Sequence, residues 1–131
     1  MVSAPRSGRG GRRFKSSHPD QTGTLPPMDL AAFQQLMEST YGHHDRRRGV
    51  PATVAWLAEE VGELAQAVRK GTVAQQEHEF ADVLAWLASL ANQMGIDLEA
   101  ATGRYADGCP RCGSSPCGCP HDGEWEPTAR A

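Results

Sequence analysis

From Leu30 to Met94 large apolar residues recur at intervals of three and four, and no stretch alternates apolar with polar residues as a half-buried strand does. That period admits helices and excludes sheets, so the chain is expected to be all-α: an antiparallel bundle of three main helices and a short fourth. The first predicted helix runs from Asp29, a suitable cap, through Leu30, Phe33, Leu36, Met37 and Tyr41 to a stop at Gly42. The polar, basic stretch His43 to Gly49 reads as a loop. Pro51 fits the first turn of a second helix, which carries Trp56, Leu57, Val61, Leu64 and Val68 and ends at Gly71, with Arg69 and Lys70 favoured in its last turn. Thr72 and Gln75 form a capping-box pattern for a third helix bearing Phe80, Val83, Leu84, Leu87, Leu90, Ala91 and Met94, closed by Gly95. Asp97 caps the fourth, which is expected to cover Leu98 to about Ala106.

Outside this region the composition changes. Residues 1–27 are rich in Arg, Gly, Ser and Pro and hold too little apolar surface to offset the entropy of ordering, so they read as a disordered tail. Residues 28–107 form the expected helical domain, 108–120 a cysteine-rich knuckle and 121–131 a loose tail containing Trp125. The early arginines are not followed by an apolar signal region, and the most apolar run, Val83 to Met94, is too short and too interrupted to span a bilayer. A soluble, cytoplasmic protein is the expectation, in a compartment where thiols stay reduced. The net charge is −3, with acidic residues concentrated in the central helices. An acidic centre repels bare phosphate, which argues against direct nucleic-acid binding there and for a divalent cation.

Two pairs of carboxylates carry that inference. Glu60 and Glu63 on the second helix, and Glu79 and Asp82 on the third, are each three residues apart, so each pair projects from one helix face. At about 100° per residue, Leu57, Val61, Leu64 and Val68 form the main apolar stripe of the second helix, with Trp56, Glu60, Glu63 and Ala67 beside it. On the third helix Phe80, Val83, Leu87, Leu90 and Met94 form the main stripe, flanked by Glu79, Asp82, Trp86 and Gln93. Helices joined by a short link pack antiparallel, which brings the two acidic pairs face to face at the edge of the core. Four converging carboxylates demand a hard cation, Mg²⁺ or Mn²⁺. The bland alternative is a set of solvated glutamates, with Glu63 paired to Arg69 or Lys70.

The run Trp56 to Gly71, followed by Glu79 to Asn92 and the closing Gly95-Ile-Asp-Leu-Glu99, resembles the MazG-type α-helical nucleoside triphosphate pyrophosphohydrolases, whose hallmark is E-x-x-E, a gap, then E-x-x-D. The resemblance covers roughly Asp29 to Ala106. It implies Mg²⁺-dependent hydrolysis of a nucleoside triphosphate to the monophosphate and pyrophosphate, in the housecleaning of nucleotide pools. By position it makes Glu60, Glu63, Glu79 and Asp82 the metal ligands, with Glu59 assisting. Arg46, Arg47, Arg48 and Lys70 are candidates for the triphosphate, Asn92 for the nucleotide, and Trp56 and Trp86 for stacking on a base. Three helices bury limited apolar area alone, and family members are typically dimers or tetramers, so a homo-oligomer is expected to complete the bundle.

Cys109-Pro-Arg-Cys112 and Cys117-Gly-Cys119 lie close enough together to suit tetrahedral zinc, with His121 an alternative ligand; a redox or disulfide role and an unmetallated tail are the alternatives. A four-thiolate site leaves no open position, so such a zinc is structural. Two competing functions remain open at this level: phosphoribosyl-ATP pyrophosphohydrolase, and a non-enzymatic zinc-knuckle adaptor that binds nucleic acid through its arginine tail.

Overall fold

A computed structural model describes residues 28–120; the expected tails over 1–27 and 121–131, and with them His121, lie outside the described residues. Four α-helices follow in order: α1 (Leu30–Arg48), α2 (Val50–Lys70), α3 (Val73–Met94) and α4 (Leu98–Thr102), with a 3₁₀ turn over Gly103–Tyr105. No strand occurs among the described residues. The capping signals act as the sequence predicts. Asp29 accepts from Ala32 N at 2.7 Å, Thr72 and Gln75 close a reciprocal capping box, and Asp97 accepts from Ala100 N at 3.0 Å. Gly95 closes α3 in the left-handed conformation. The fourth helix is shorter than expected, five residues and then the 3₁₀ turn. No helix among the described residues is long and apolar enough to cross a membrane.

Two sequence expectations are overturned. The first concerns Gly42, which does not end α1; the helix runs on through His43 to Arg48, so the expected basic loop is helical. The cause is partly local and partly tertiary. Asp45 is buried to 1% exposure, and its carboxylate accepts from Arg48 Nη1 at 2.7 Å. Gln93 of α3 donates to the Asp45 carbonyl. The real break is Gly49, at φ +85°, a backbone conformation in which an L side chain is strained.

The second concerns which stripe forms the core. α2 and α3 pack antiparallel with Trp56 stacked on Trp86, but the buried residues are Thr53, Glu60 and Ala67 on α2 and Asp82, Ala85, Trp86, Ala88, Ser89 and Ala91 on α3. Much of the stripes expected to form the core is outside: Val61 is 49% exposed, Val68 56% and Phe80 60%, with Leu87 and Met94 also exposed. Small side chains at Ala67, Ala85, Ala88 and Ser89 permit close helix approach, and Trp86, at 0% exposure, fills the remaining space. On the other side of α3, α1 seats Met37 against Ala85 and Ala88, flanked by Phe33, Tyr41 and Leu98. The three-helix unit therefore buries its polar and small residues and leaves a broad apolar face on α2 and α3.

Candidate functional site

The antiparallel seam of α2 and α3 brings the first turns of one acidic motif against the other. Ligand oxygens of Glu60, Glu79 and Asp82 all lie within 4.8 Å of one another. Glu60 and Asp82 are buried at 8% exposure each, so their charges meet in a medium that screens them poorly. Burial raises the Glu60 pKa above its ordinary value of 4.5. Repulsion from Asp82, Glu63 and Glu79 adds to the rise, and a hydrogen bond from Trp86 opposes it. That bond runs from the Trp86 ring N–H to Glu60 Oε1 at 3.0 Å. His78 Nε2 stands 3.4 Å from Asp82 Oδ2, one turn earlier on α3.

The fit to a hard cation rests on Glu79. Its Oε2 is buried and has no hydrogen-bond partner, a costly state for a carboxylate oxygen unless something positively charged occupies the space it faces. Three carboxylates with an orphaned oxygen among them offer the all-oxygen ligand set that Mg²⁺ or Mn²⁺ takes.

The remaining predicted residues are distributed around this cluster. Glu63 is exposed and is not among the three clustered carboxylates. It borders a groove of about 430 Å³ together with Gln66, Ala67, Lys70, Gly71, Gln75 and Glu79. Glu59 is exposed. Lys70 is the basic residue on the groove wall. Arg46 turns instead to Glu38. Arg48 is half-buried, tied to Asp45 and laid over the Trp86 ring at 4.8 Å. Trp56 lies parallel to Trp86, with ring centroids 5.8 Å apart, so both indoles are packed into the seam beside Glu60. Asn92 is taken up by α1: it accepts from Gln34 Nε2 and donates to the Gln34 carbonyl, both at 3.0 Å.

Sequence reading missed Asp45, which fixes Arg48 against Trp86 and so braces the indole that holds Glu60. Its signal was available. Met37, Tyr41, Asp45 and Arg48 continue the three-and-four spacing of α1, which a reading that stops at Gly42 discards.

The four cysteines also converge, all Sγ atoms within 4.8 Å of one another. Backbone N–H groups of Gly118 and Ser114 hold the Cys112 thiol down to about 6, and those of Cys112 and Arg111 lower that of Cys109. Hydrogen bonding to Cys117 and burial push the Cys119 thiol up to about 12.

Among known families, the MazG nucleotide pyrophosphohydrolase domain matches residues 48–108. Over this stretch the chain is similar to a MazG domain. The matched span contains both acidic motifs, the seam between them and α4, and stops before Cys109. A comparison with curated proteins returns no match. The all-helical architecture agrees with the MazG fold, and MazG domains are nucleotide-processing, which supports pyrophosphohydrolase activity as a class.

Proposed function

We propose that this chain hydrolyses nucleoside or deoxynucleoside triphosphates to the monophosphate and pyrophosphate, with Mg²⁺ or Mn²⁺ held by Glu60, Glu79 and Asp82. The orphaned Oε2 of Glu79 is the observation that carries this reading. Glu60, Glu79 and Asp82 would hold such a cation, which when bound would supply positive charge toward the polyphosphate and Lewis acidity toward water. The chain's own groups do the rest. Trp86 fixes one Glu60 oxygen in place and helps to keep the carboxylate ionised. The groove beyond Glu79 admits the phosphates, with Lys70 on its wall as a point charge and Glu63 at its margin as a further ligand or water-orienting base. Water adds to the α-phosphorus, the α–β anhydride bond breaks, and pyrophosphate leaves. Among the described residues no Ser or Cys lines the groove, which is consistent with direct attack by water. Arg48 acts as a brace, because its guanidinium is committed to Asp45 and Trp86.

A second copy of the chain completes the bundle in this reading. Apolar residues of α2 and α3, among them Val61, Val68, Phe80, Leu87 and Met94, stay exposed in the isolated chain, and a second copy presents the same apolar chemistry to them. The deciding experiment is pyrophosphate release from a panel of canonical, modified and phosphoribosyl nucleotides, with and without Mg²⁺. Cation-dependent release that falls on the order of a hundredfold in Glu79→Gln is expected. Release that is absent throughout the panel, or unchanged in that variant, would overturn the reading.

A further inference from the structure

The sequence beyond the MazG match folds into a tight knuckle whose geometry is that of a metal site. Gly108 takes φ +97°, and a Cβ there would stand 2.7 Å from the Ser114 carbonyl oxygen, so the chain can close on itself at this point only without a side chain. Cys109 N donates to Ser114 O at 3.0 Å and Gly113 N to Cys109 O at 2.7 Å, which turns Cys112 back toward Cys109. The second arm brings Cys119 Sγ to 3.8 Å from Cys109 Sγ and Cys117 Sγ to 3.9 Å from Cys112 Sγ.

These separations discriminate between the chemistries open to four thiols. A disulfide requires sulfurs about 2.0 Å apart. A tetrahedron with metal–sulfur bonds of about 2.3 Å has edges of about 3.8 Å, which is the spacing of both pairs. The sulfurs also receive backbone N–H groups; Cys119 N donates to Cys117 Sγ at 3.4 Å. Such donors favour sulfur in its anionic, metal-ligating form.

We propose that Cys109, Cys112, Cys117 and Cys119 bind one Zn²⁺ as a closed four-thiolate site that fixes residues 108–119. All four tetrahedral positions are filled by this chain, so the ion is structural and leaves no place for substrate or water. His121 is not required. The inference stands on the cysteine geometry alone and is independent of the hydrolase reading.

The test is metal analysis and cobalt substitution on the full chain, expressed in zinc-supplemented medium and purified with its thiols reduced. One zinc per chain is expected, replaceable by Co²⁺ with the intense visible bands of a tetrahedral site and the near-ultraviolet charge transfer of cobalt–thiolate bonds. Cys112→Ser and Cys117→Ser should each abolish stoichiometric retention while the helical circular dichroism persists, and His121→Ala should retain the ion. Iron in place of zinc, a weak octahedral cobalt spectrum, or disulfide formation as fast with Zn²⁺ as without would overturn the assignment. So would loss of the ion in His121→Ala. Pyrophosphate release plays no part in these readouts, so either proposal can fail without the other.

Discussion

Trp86 donates its ring N–H to Glu60 Oε1 at 3.0 Å, from a position with no solvent exposure. The bond joins the packing centre of the α2–α3 seam to its acidic cluster, so the packing of the seam and the placement of Glu60 share one side chain. Trp86→Phe retains most of the ring volume but deletes the donor. Loss of a hydrogen bond to a charged group predicts destabilisation of about 1.5–3 kcal/mol and a further rise in the Glu60 pKa. Denaturant unfolding with and without Mg²⁺ checks it; a variant equal to the parent under both conditions would count against the role.

The raised Glu60 pKa sets a pH dependence for the metal-free protein. Between 4.5, the ordinary value, and the higher folded value, the folded state binds the proton more tightly than the unfolded chain does. The Glu60 contribution to stability is therefore fully present below 4.5, is lost as pH rises through that window to the folded value, and does not change further above it. Melting temperatures without divalent cation should show this contribution, Glu60→Gln should lack it, and saturating Mg²⁺ should suppress it. A parent and variant with the same pH profile would refute the linkage.

Asp45 is buried and its Arg48 partner is only 18% exposed. Asp45→Ala leaves that guanidinium without its counter-charge against Trp86, which predicts a loss of about 2–4 kcal/mol, near the range for breaking a buried pair. Asp45→Asn keeps an acceptor and should cost less. Thermal unfolding of the two variants beside Arg48→Ala measures the order, and equal effects from Ala and Asn would show that the charge contributes nothing.

The apolar face of α2 and α3 gives a prediction about assembly. Phe80→Glu combined with Val61→Lys places charges at positions already 60% and 49% exposed in the isolated chain, so helical content should be preserved while the assembly dissociates. Light scattering coupled to size exclusion reads the mass directly. A parent that is monomeric at micromolar concentration, or a variant with the same oligomeric mass, would rule out the second copy.

Local chemistry wrote most of the elements. The caps at Asp29, Thr72 and Asp97, the stops at Gly71 and Gly95 and the all-helical architecture follow from interactions within a few residues, so the sequence alone determined them. The spacing of the acidic motifs also placed Glu60, Glu79 and Asp82 on facing helices, because antiparallel packing after a short link leaves little choice of register. Tertiary structure decided what remained. α1 passes Gly42 with a local Asp45–Arg48 pair and with Gln93 of α3 donating to the Asp45 carbonyl across the bundle, and this last partner is one that helical propensity does not contain. The stripe richest in large apolar residues stays outside because close helix approach favours Ala67, Ala85, Ala88 and Ser89. Hydrophobicity by itself could not rank two adjoining stripes when their packing depends on the shape of the facing helix.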